Sequence, residues 1–282
     1  MSLKSITRLL ILLSVAMILP SLTQAATYTA AVNSGGALKP FPQNVNYSYG
    51  LMPAGRTTTG MNSASVQAFY TTWCTTFVTD SGAGGSASNG VKRWRVQRDS
   101  TDGSDTVSEG IGYGMLIAAM MGDKALFDGL YAYALQYMPD SSGNYLMNWH
   151  INSGGSVAGP NGATDADEDM AMALLIAEKQ WGNATSSYNY HNEFQLMANA
   201  MWAHEMGGGG VVLPGDAYSS PLFSSYMTPA WYKCWSGQDS NPADAWATPL
   251  NWVTNTYLST MRTKFTNGMV PDTVDSGLNA TG

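Results

Sequence analysis

Glu109 stands in a segment whose composition suits acid–base chemistry. It is followed by glycines at 110, 112 and 114 and then by the apolar residues 115–121. A carboxyl group beside apolar surface has its pKa raised by desolvation, as a general acid requires, whereas the dipole at a helix N-terminus lowers it. The glycines leave the backbone bare, so that another group can approach closely. The residues alone leave two interpretations open, a general acid and a glutamate that caps a helix.

A second candidate is the acidic run formed by Asp165, Asp167, Glu168 and Asp169. Four carboxylates in five residues repel one another, which is typical of a solvated loop or of a calcium site with alternating aspartates. The run also opens an apolar helix, where acids near the N-terminus are favourable. Burial of that helix would turn some of these acids into the protein or into a cleft, and perturbed acids mark functional sites.

The elements that must position these acids are predicted to be helices. Apolar residues recur at spacings of three and four over residues 65–78, 107–121, 124–138, 167–181, 190–205, 221–235 and 251–265. Thr106 or Ser108 is the predicted N-cap of the second helix. Gly182 and Asn183 are predicted to end the fourth.

Strands and loops are few in this interpretation. Residues 94–98 are predicted to form a short strand, 81–89 a loop and 140–143 a turn. The content of Ser, Thr, Gly and Tyr would favour an all-β sandwich on propensity alone. The periodicity favours helical hairpins packed in layers instead.

The composition excludes several classes of protein. Only 12% of the 282 residues are charged, 44% are hydrophobic and 30 are glycine. The chain is therefore too apolar to be disordered and too poor in charge for a coiled coil, and its glycines lack the period of collagen. A net charge of −7 argues against nucleic acid as a partner. The 9 Trp, 15 Tyr and 7 Phe suit an uncharged ligand with flat apolar faces, such as a sugar, although aromatics also fill cores.

The first 25 residues are predicted to be a signal peptide. Lys4 and Arg8 precede the apolar residues 9–19, a stretch shorter than the ~20 residues that a membrane span needs. Pro20 breaks this stretch, and Thr23-Gln24-Ala25 suits a cleavage site. We therefore expect an exported protein, extracellular or periplasmic, with no membrane association after removal of the signal.

Two cysteines, Cys74 and Cys234, follow this segment. Export permits a disulfide between them, while two separate buried thiols are the alternative. The three histidines and the two distant cysteines show no metal-ligand spacing, so that we expect no metal site and no cofactor. Residues 26–60 are expected to form an N-terminal arm on the surface of the main domain.

The segment from Ala163 to Trp181, ATDADEDMAMALLIAEKQW, resembles the signature of glycoside hydrolase family 8. That family comprises bacterial endoglucanases, xylanases, lichenases and chitosanases. The signature reads A-[ST]-D-[AG]-D, two variable residues and an apolar helix that ends at Trp, and every defined position is met. The segment SEGIGYGM at 108–115 resembles the family's general-acid segment, in the right order and at a similar spacing. Further landmarks lie at 148–149, 213–216, 225–231 and 268–272.

The resemblance implies an all-α fold, the (α/α)6 toroid of helical hairpins, with a catalytic domain over residues 61–282. It implies a secreted endo-β-1,4-glucanase that cleaves internal bonds of cellulose or related β-glucans with inversion. We expect this enzyme to be a monomer.

The resemblance also assigns roles by position. Glu109 is the general acid, and Asp165 lies beneath the sugar, where it holds the distorted ring and helps to order the water. Inverting hydrolysis needs two carboxyl groups about 6.5–9.5 Å apart, with room for a water. Tyr113, Trp149 and Trp231 are candidates to stack on sugar faces, with a place in the core as the alternative.

The chain departs from the family at its C-terminal end. In most members the general base is an aspartate in a Tyr-Asp-Ala segment downstream of the landmark at 268–272, and no such segment occurs before Gly282. We expect a fragment whose base and last helices are missing. The alternative is that Asp216, Asp272 or Asp275 takes the role of the base.

Other functions compete with the glucanase. A xylanase or chitosanase of the same family differs in substrate by a hydroxymethyl group or an amine. From other classes come a catalytically inactive glucan-binding remnant and a calcium-dependent surface protein that uses the acidic run at 165–169.

Overall fold

The computed structural model describes residues 25–41, 63–99, 103–138, 144–183 and 187–281. The predicted signal peptide, apart from its last residue, and the predicted turn at 140–143 lie outside these ranges. So does the second part of the predicted arm, from residue 42 onward.

Helices form the framework of the described residues. They are α1 Ser63–Phe77, α2 Ser108–Met121, α3 Lys124–Gln136, α4 Thr164–Trp181, α5 Tyr190–His204, α6 Pro229–Trp235, α7 Ala247–Asn251 and α8 Leu258–Lys264. A π-helical segment, Trp252–Tyr257, joins α7 to α8. Short 3-10 turns occupy Gly208–Gly210 and Ser224–Tyr226. The predicted helical architecture is confirmed.

The strands are two or three residues long and form three small antiparallel sheets. These pair β1 Val78–Thr79 with β2 Arg95–Val96, join β3 Thr106–Val107, β4 His150–Ile151 and β5 Val157–Gly159, and pair β6 Leu222–Phe223 with β7 Thr273–Val274. Each sheet fixes the chain at the end of a helix rather than forming a layer of its own.

The core lies where α4 packs along α2 and α5, and where α3 packs along α2. Ile111 and Met115 of α2 and Met170 and Leu174 of α4 are fully buried there. Their spacing of four within each helix places each pair on one face, which explains why the periodic segments of the sequence became packed helices. None of the helices in the described ranges is long and apolar enough to cross a bilayer.

Three local predictions are wrong. Neither Thr106 nor Ser108 caps α2: the N-cap is Val107, whose side chain makes no cap, because the chain enters the helix directly from β3. Helix α4 starts at Thr164 rather than 167, so that the whole acidic run lies within its first two turns. The predicted helix at 221–235 shrinks to α6, because residues 222–223 pair with β7 and Pro229 occupies the first helical turn.

The two cysteines are free thiols. Cys74 is buried, whereas Cys234 is exposed on α6. The disulfide alternative is therefore wrong, and so is the prediction that both thiols are buried.

The described part of the arm is tied to the helices by Asp123, the N-cap of α3. Its carboxylate accepts hydrogen bonds from the hydroxyls of Tyr28 and Tyr70, at 2.5 and 2.9 Å, and from the backbone N–H groups of Ala31 and Leu126. A buried carboxylate with four donors stabilises all the segments that supply them. The cluster therefore links the arm, α1 and α3.

We expect Asp123→Ala to lower the free energy of unfolding by about 3 kcal/mol or more, because it removes a helix cap and leaves two buried tyrosine hydroxyls without an acceptor. Tyr28→Phe removes one donor alone and should cost about 1.5 kcal/mol. Denaturant unfolding checks both values. A loss in Asp123→Ala no larger than that in Tyr28→Phe would contradict the role of the cluster.

Candidate active site

Glu109 is the second residue of α2 and its side chain is exposed. The helix start is fixed by β3, whose residues Thr106 and Val107 pair with Ile151 and His150 of β4. The apolar run that follows turns toward the core, so that the Glu109 carboxyl is not buried against it. The carboxyl is open to solvent and to any ligand at this end of the helix.

Two of the aromatic residues predicted for the site lie beside Glu109. The Trp149 carbonyl accepts the Ser108 backbone N–H at 2.9 Å, which brings the indole next to the start of α2. Tyr113 lies one helical turn after Glu109, and burial together with a hydrogen bond to the Glu109 carboxylate raises the pKa of its hydroxyl to about 12. The side chains of Trp149 and Tyr113 are 36% and 49% exposed. Both rings are therefore available to a ligand rather than placed in the core.

The glycines that follow Glu109 are approached by the protein itself. A Cβ on Gly112 would lie 3.0 Å from the Ala166 carbonyl oxygen and 3.1 Å from the Asp169 Cβ. A Cβ on Gly114 would meet Val96 and Leu130 at 2.9 and 3.0 Å. The prediction that these glycines leave the backbone open to another group is wrong. Gly112 lets α2 and α4 approach closely, which brings the two acidic segments together, whereas Gly114 lets α2 pack against β2 and α3.

We expect Gly112→Ala to be less stable than Gly110→Ala by about 1–2 kcal/mol. Alanine favours helix at both positions, but a Cβ at Gly110 would meet Val96 at an ordinary 3.6 Å. The comparison, made by denaturant unfolding, therefore isolates the contact between α2 and α4. Equal stability of the two variants would show that this contact tolerates a methyl group and is not the reason for Gly112.

Asp165 lies in the first turn of α4 and is half-buried. Burial and the charge of Glu109 raise the pKa of its carboxyl to about 7, while the Ala166 backbone N–H and the Tyr226 hydroxyl act in the opposite direction. One of its oxygens, Oδ1, is buried and receives no hydrogen-bond donor from the described residues. Two acids from separate segments thus share one electrostatic site, and the Asp165 carboxyl changes its charge near neutral pH.

The other acids of the run point to different partners. The Asp169 carboxylate accepts the Trp231 indole N–H at 3.0 Å. The Glu168 carboxylate is fully buried and accepts the hydroxyls of Thr228, at 2.6 Å, and Tyr232. A calcium site requires carboxyls that converge on one point, and the carboxyls of this run do not. They hold the segment from residue 224 to α6 against α4, and Trp231 with it.

A cavity of about 340 Å³ opens between this segment and Trp149. Its walls include Ala163, Pro214, Tyr218, Phe223 and Tyr226 together with the indole of Trp149. Since Tyr226 also reaches Asp165, the cavity extends directly from the acids. Aromatic walls with a few polar groups suit a sugar ring.

The three aspartates considered as alternative bases differ in the hydrogen bonds that their carboxylates accept. Both Asp216 oxygens accept hydrogen bonds, from the Gly162 backbone N–H and the Asn144 amide, each at 2.9 Å. Asp275 is held by the backbone and side-chain amide of Asn279, which lower its pKa. Asp272 is exposed, and its backbone carbonyl binds the Ser224 N–H. Two of the three are thus engaged in structure, and Asp272 remains an open candidate.

The structure brings together all five residues predicted for the site, Glu109, Asp165, Tyr113, Trp149 and Trp231. It adds Tyr226, Tyr218 and Phe223, which the sequence reasoning did not single out. Tyr226 belongs to the family landmark at 225–231. An aromatic residue in that landmark was the one feature of the sequence that could have predicted its place in the site. Glu205 was missed because it is the last residue of the helix predicted over 190–205, where a polar residue is expected at the surface.

The chain is similar to known proteins over most of its length. A profile of the family described as glycosyl hydrolases family 8 matches residues 40–281. Endoglucanase 2 of Ruminiclostridium josui is 35% identical over 251 residues, which are 86% of this chain and 51% of that protein. Endoglucanase A of Acetivibrio thermocellus is 39% identical over 202 residues, 69% of this chain and 40% of that protein.

A solved structure has a similar arrangement of the chain. The apo β-1,3-1,4-glucanase from Paenibacillus sp. X4 superposes with a TM-score of 0.64 at 26% identity, over 89% of this chain and 63% of that one. The helices therefore follow the (α/α)6 toroid. The chain spans about half the length of the curated relatives it matches.

Proposed function

The chain belongs to glycosyl hydrolase family 8, and we propose from this premise that it is an inverting endo-β-1,4-glucanase with Glu109 as its general acid. The observation that carries the proposal is the juxtaposition of two carboxyls in different environments, close enough for one to raise the pKa of the other. Glu109 is exposed at the mouth of the site, and Asp165 is half-buried with a pKa of about 7. Exposed aromatic rings surround both groups.

In this mechanism Glu109 protonates the oxygen of the leaving sugar. Tyr113, one helical turn later, lies beside the Glu109 carboxylate and is placed to orient it. Asp165 lies beneath the ring at the point of cleavage, where its carboxyl accepts hydrogen bonds from the sugar and stabilises the positive charge that develops on the ring. Tyr226 lies near Asp165 in the wall of the cavity.

Cellulose or a related β-glucan is the proposed substrate class. The relatives from Ruminiclostridium josui and Acetivibrio thermocellus are named endoglucanases, and the solved Paenibacillus relative is a β-1,3-1,4-glucanase. A xylanase of the family has also been solved, so that xylan is the alternative substrate. Trp149 and Trp231 provide flat faces that suit either backbone.

Release of reducing ends from carboxymethylcellulose, lichenan, xylan and chitosan tests the proposal. We expect the largest rate on one of the two glucans, with a mixture of internal cleavage products. A largest rate on xylan or chitosan would replace the glucan by that substrate. No release from any of the four polymers would refute hydrolysis by this chain.

A glucan-binding protein without activity is the second candidate, favoured by the exposed rings beside the acids. Affinity electrophoresis on barley glucan separates the two. Retarded migration of both the unmodified protein and Glu109→Gln, without turnover by either, would favour the binding protein.

Export to the extracellular space or periplasm is a further part of the proposal. It is supported by Lys4 and Arg8, the apolar residues 9–19 and the small residues before Ala26. Protein recovered from outside the cytoplasm should begin at Ala26. A mature N-terminus at Met1 would overturn this part and leave the enzymatic proposal untouched.

A further inference from the structure

Two carboxyl side chains are buried together behind Asp165. Asp167 of α4 and Glu205, the residue that follows α5, are both fully buried. Asp167 Oδ1 accepts the Met147 backbone N–H at 3.2 Å. Asp167 Oδ2 and both oxygens of Glu205 receive no donor from any other group of the described residues.

The unmatched oxygens face the same point. A Cβ placed on Gly162 would lie 2.8 Å from Asp167 Oδ2 and 3.1 Å from Glu205 Oε1. Two ionised carboxylates cannot share such a dry site, because each would be left without a counter-charge or donor. A single proton between them converts the repulsion into a hydrogen bond.

The groups around the pair favour that proton. Asp165 and Glu168 of α4 and Asp216 of the loop after α5 all face it, and each is acidic. Burial raises the pKa of both Asp167 and Glu205 well above the usual range. Asp167 already accepts the Met147 backbone N–H, which favours its ionised form, whereas neither oxygen of Glu205 has such a donor among the described residues, so the proton belongs to Glu205.

We propose that Asp167 and Glu205 share one proton, carried by Glu205, and that this hydrogen bond positions the first turn of α4 and therefore Asp165. The pair stands where three segments meet. The Glu205 backbone carbonyl accepts the Leu213 N–H at 2.9 Å, and the neighbouring Pro214 carbonyl accepts the Thr164 N–H at 3.3 Å. Only the catalytic consequence of this positioning rests on the proposed function, since the proton itself is a property of the fold.

The shared proton is tested by unfolding as a function of pH. The folded chain keeps a proton that the unfolded Glu205 releases above about pH 5, so the folding equilibrium constant falls about tenfold per pH unit for this group. Glu205→Gln donates a permanent N–H and has no such proton. We therefore expect its stability to depend on pH less steeply, by one proton between about pH 5 and 8.

Glu193→Gln is the matched control, because Glu193 lies on α5, the helix that Glu205 follows, and already accepts the Tyr131 hydroxyl at 2.6 Å. It should keep the slope of the unmodified protein. Infrared difference spectra supply a second readout, in which Glu205→Gln removes the carbonyl stretch of a protonated carboxyl at neutral pH. An unchanged slope and an unchanged band in Glu205→Gln would overturn the shared proton.

Positioning is tested with Glu205→Met, which keeps the volume but cannot donate. The Asp165 titration, followed by carboxyl carbon NMR and assigned with Asp165→Asn, should move from about 7 toward the ordinary value, and Glu205→Gln should restore it. With an active enzyme, kcat of Glu205→Met should fall at least tenfold with KM within twofold. An unmoved Asp165 titration would overturn positioning, whereas absence of hydrolysis by the unmodified protein would count against the proposed function alone.

Discussion

Replacement of Glu109 by glutamine is expected to lower the rate of reducing-end release about 10²–10⁴-fold. Glutamine has nearly the same shape but cannot give a proton to the leaving oxygen. Since the Glu109 side chain is exposed and supports no core contact, the midpoint of thermal unfolding should not fall below that of the unmodified protein. Binding of β-glucan in affinity electrophoresis should also persist.

Glu178→Gln is the control for this experiment. Glu178 lies near the other end of the same helix that carries Asp165, where Lys179 and His191 pair with it. The identical chemical change there should leave hydrolysis unaffected. Equal rates for Glu109→Gln and Glu178→Gln would exclude Glu109 as the general acid.

A substrate with an activated leaving group sharpens the assignment. Such a leaving group departs with little help from a proton, so that Glu109→Gln should lose much less of its rate on it than on the natural polymer. An equal loss on both substrates would indicate that Glu109 acts by binding or by its charge rather than as an acid.

Much of the helical framework could be predicted from the sequence, because the apolar stripes are local. The stripe of α3 includes Leu126 and Leu130, both fully buried in the structure. The resemblance located Glu109 and Asp165 because motif and order suffice for that. What failed was decided by distant partners: β3 forms only because β4, more than forty residues later, pairs with it, and this pairing replaced the predicted cap of α2.

The polar clusters could not be predicted from the local sequence either, because their partners are distant along the chain. Asp123 stands before a periodic run and could have been read as a cap, but its tyrosine donors lie 95 and 53 residues away. Nothing in the acidic run shows which carboxyl faces the cleft, because successive helical positions point in different directions only once the neighbours of α4 are known. Thus Asp165 reaches Tyr226, Asp169 binds Trp231, and Asp167 turns inward.

These clusters also explain why so acidic a segment can begin a buried helix. Hydroxyl and indole donors from residues 228–232 satisfy Glu168 and Asp169, and a backbone N–H satisfies one oxygen of Asp167. Of the members of the run that are not fully buried, Asp165 has both a buried oxygen without a donor among the described residues and a nearby like charge. A destabilised carboxyl in a cleft is typical of a functional site, because function often requires groups that lower the stability of the fold.

Asp165→Asn is therefore expected to raise stability while it lowers activity. In the unfolded chain the carboxyl ionises near pH 3.9, whereas the folded protein keeps its proton up to about pH 7. Folding thus favours the protonated form, and this contribution is complete at low pH and is lost as the pH rises through 7. Asparagine does not ionise, so its advantage over aspartate should grow between pH 4 and 7 and reach roughly 2–3 kcal/mol above neutrality, allowing for partial exposure.

Unfolding at pH 4 and pH 8 checks the sign, with Asp99→Asn, an exposed aspartate of another loop, as the control. Glu109→Gln should show part of the same effect, because the Glu109 charge is the second cause of the raised pKa after burial. Reducing-end release by Asp165→Asn should fall on the order of 10²-fold, since a neutral amide cannot balance the charge that develops on the sugar ring. If Asp165→Asn were less stable than the unmodified protein at pH 8, Asp165 would be a structural carboxylate rather than a strained functional one, and its assignment beneath the sugar would lose its physical basis.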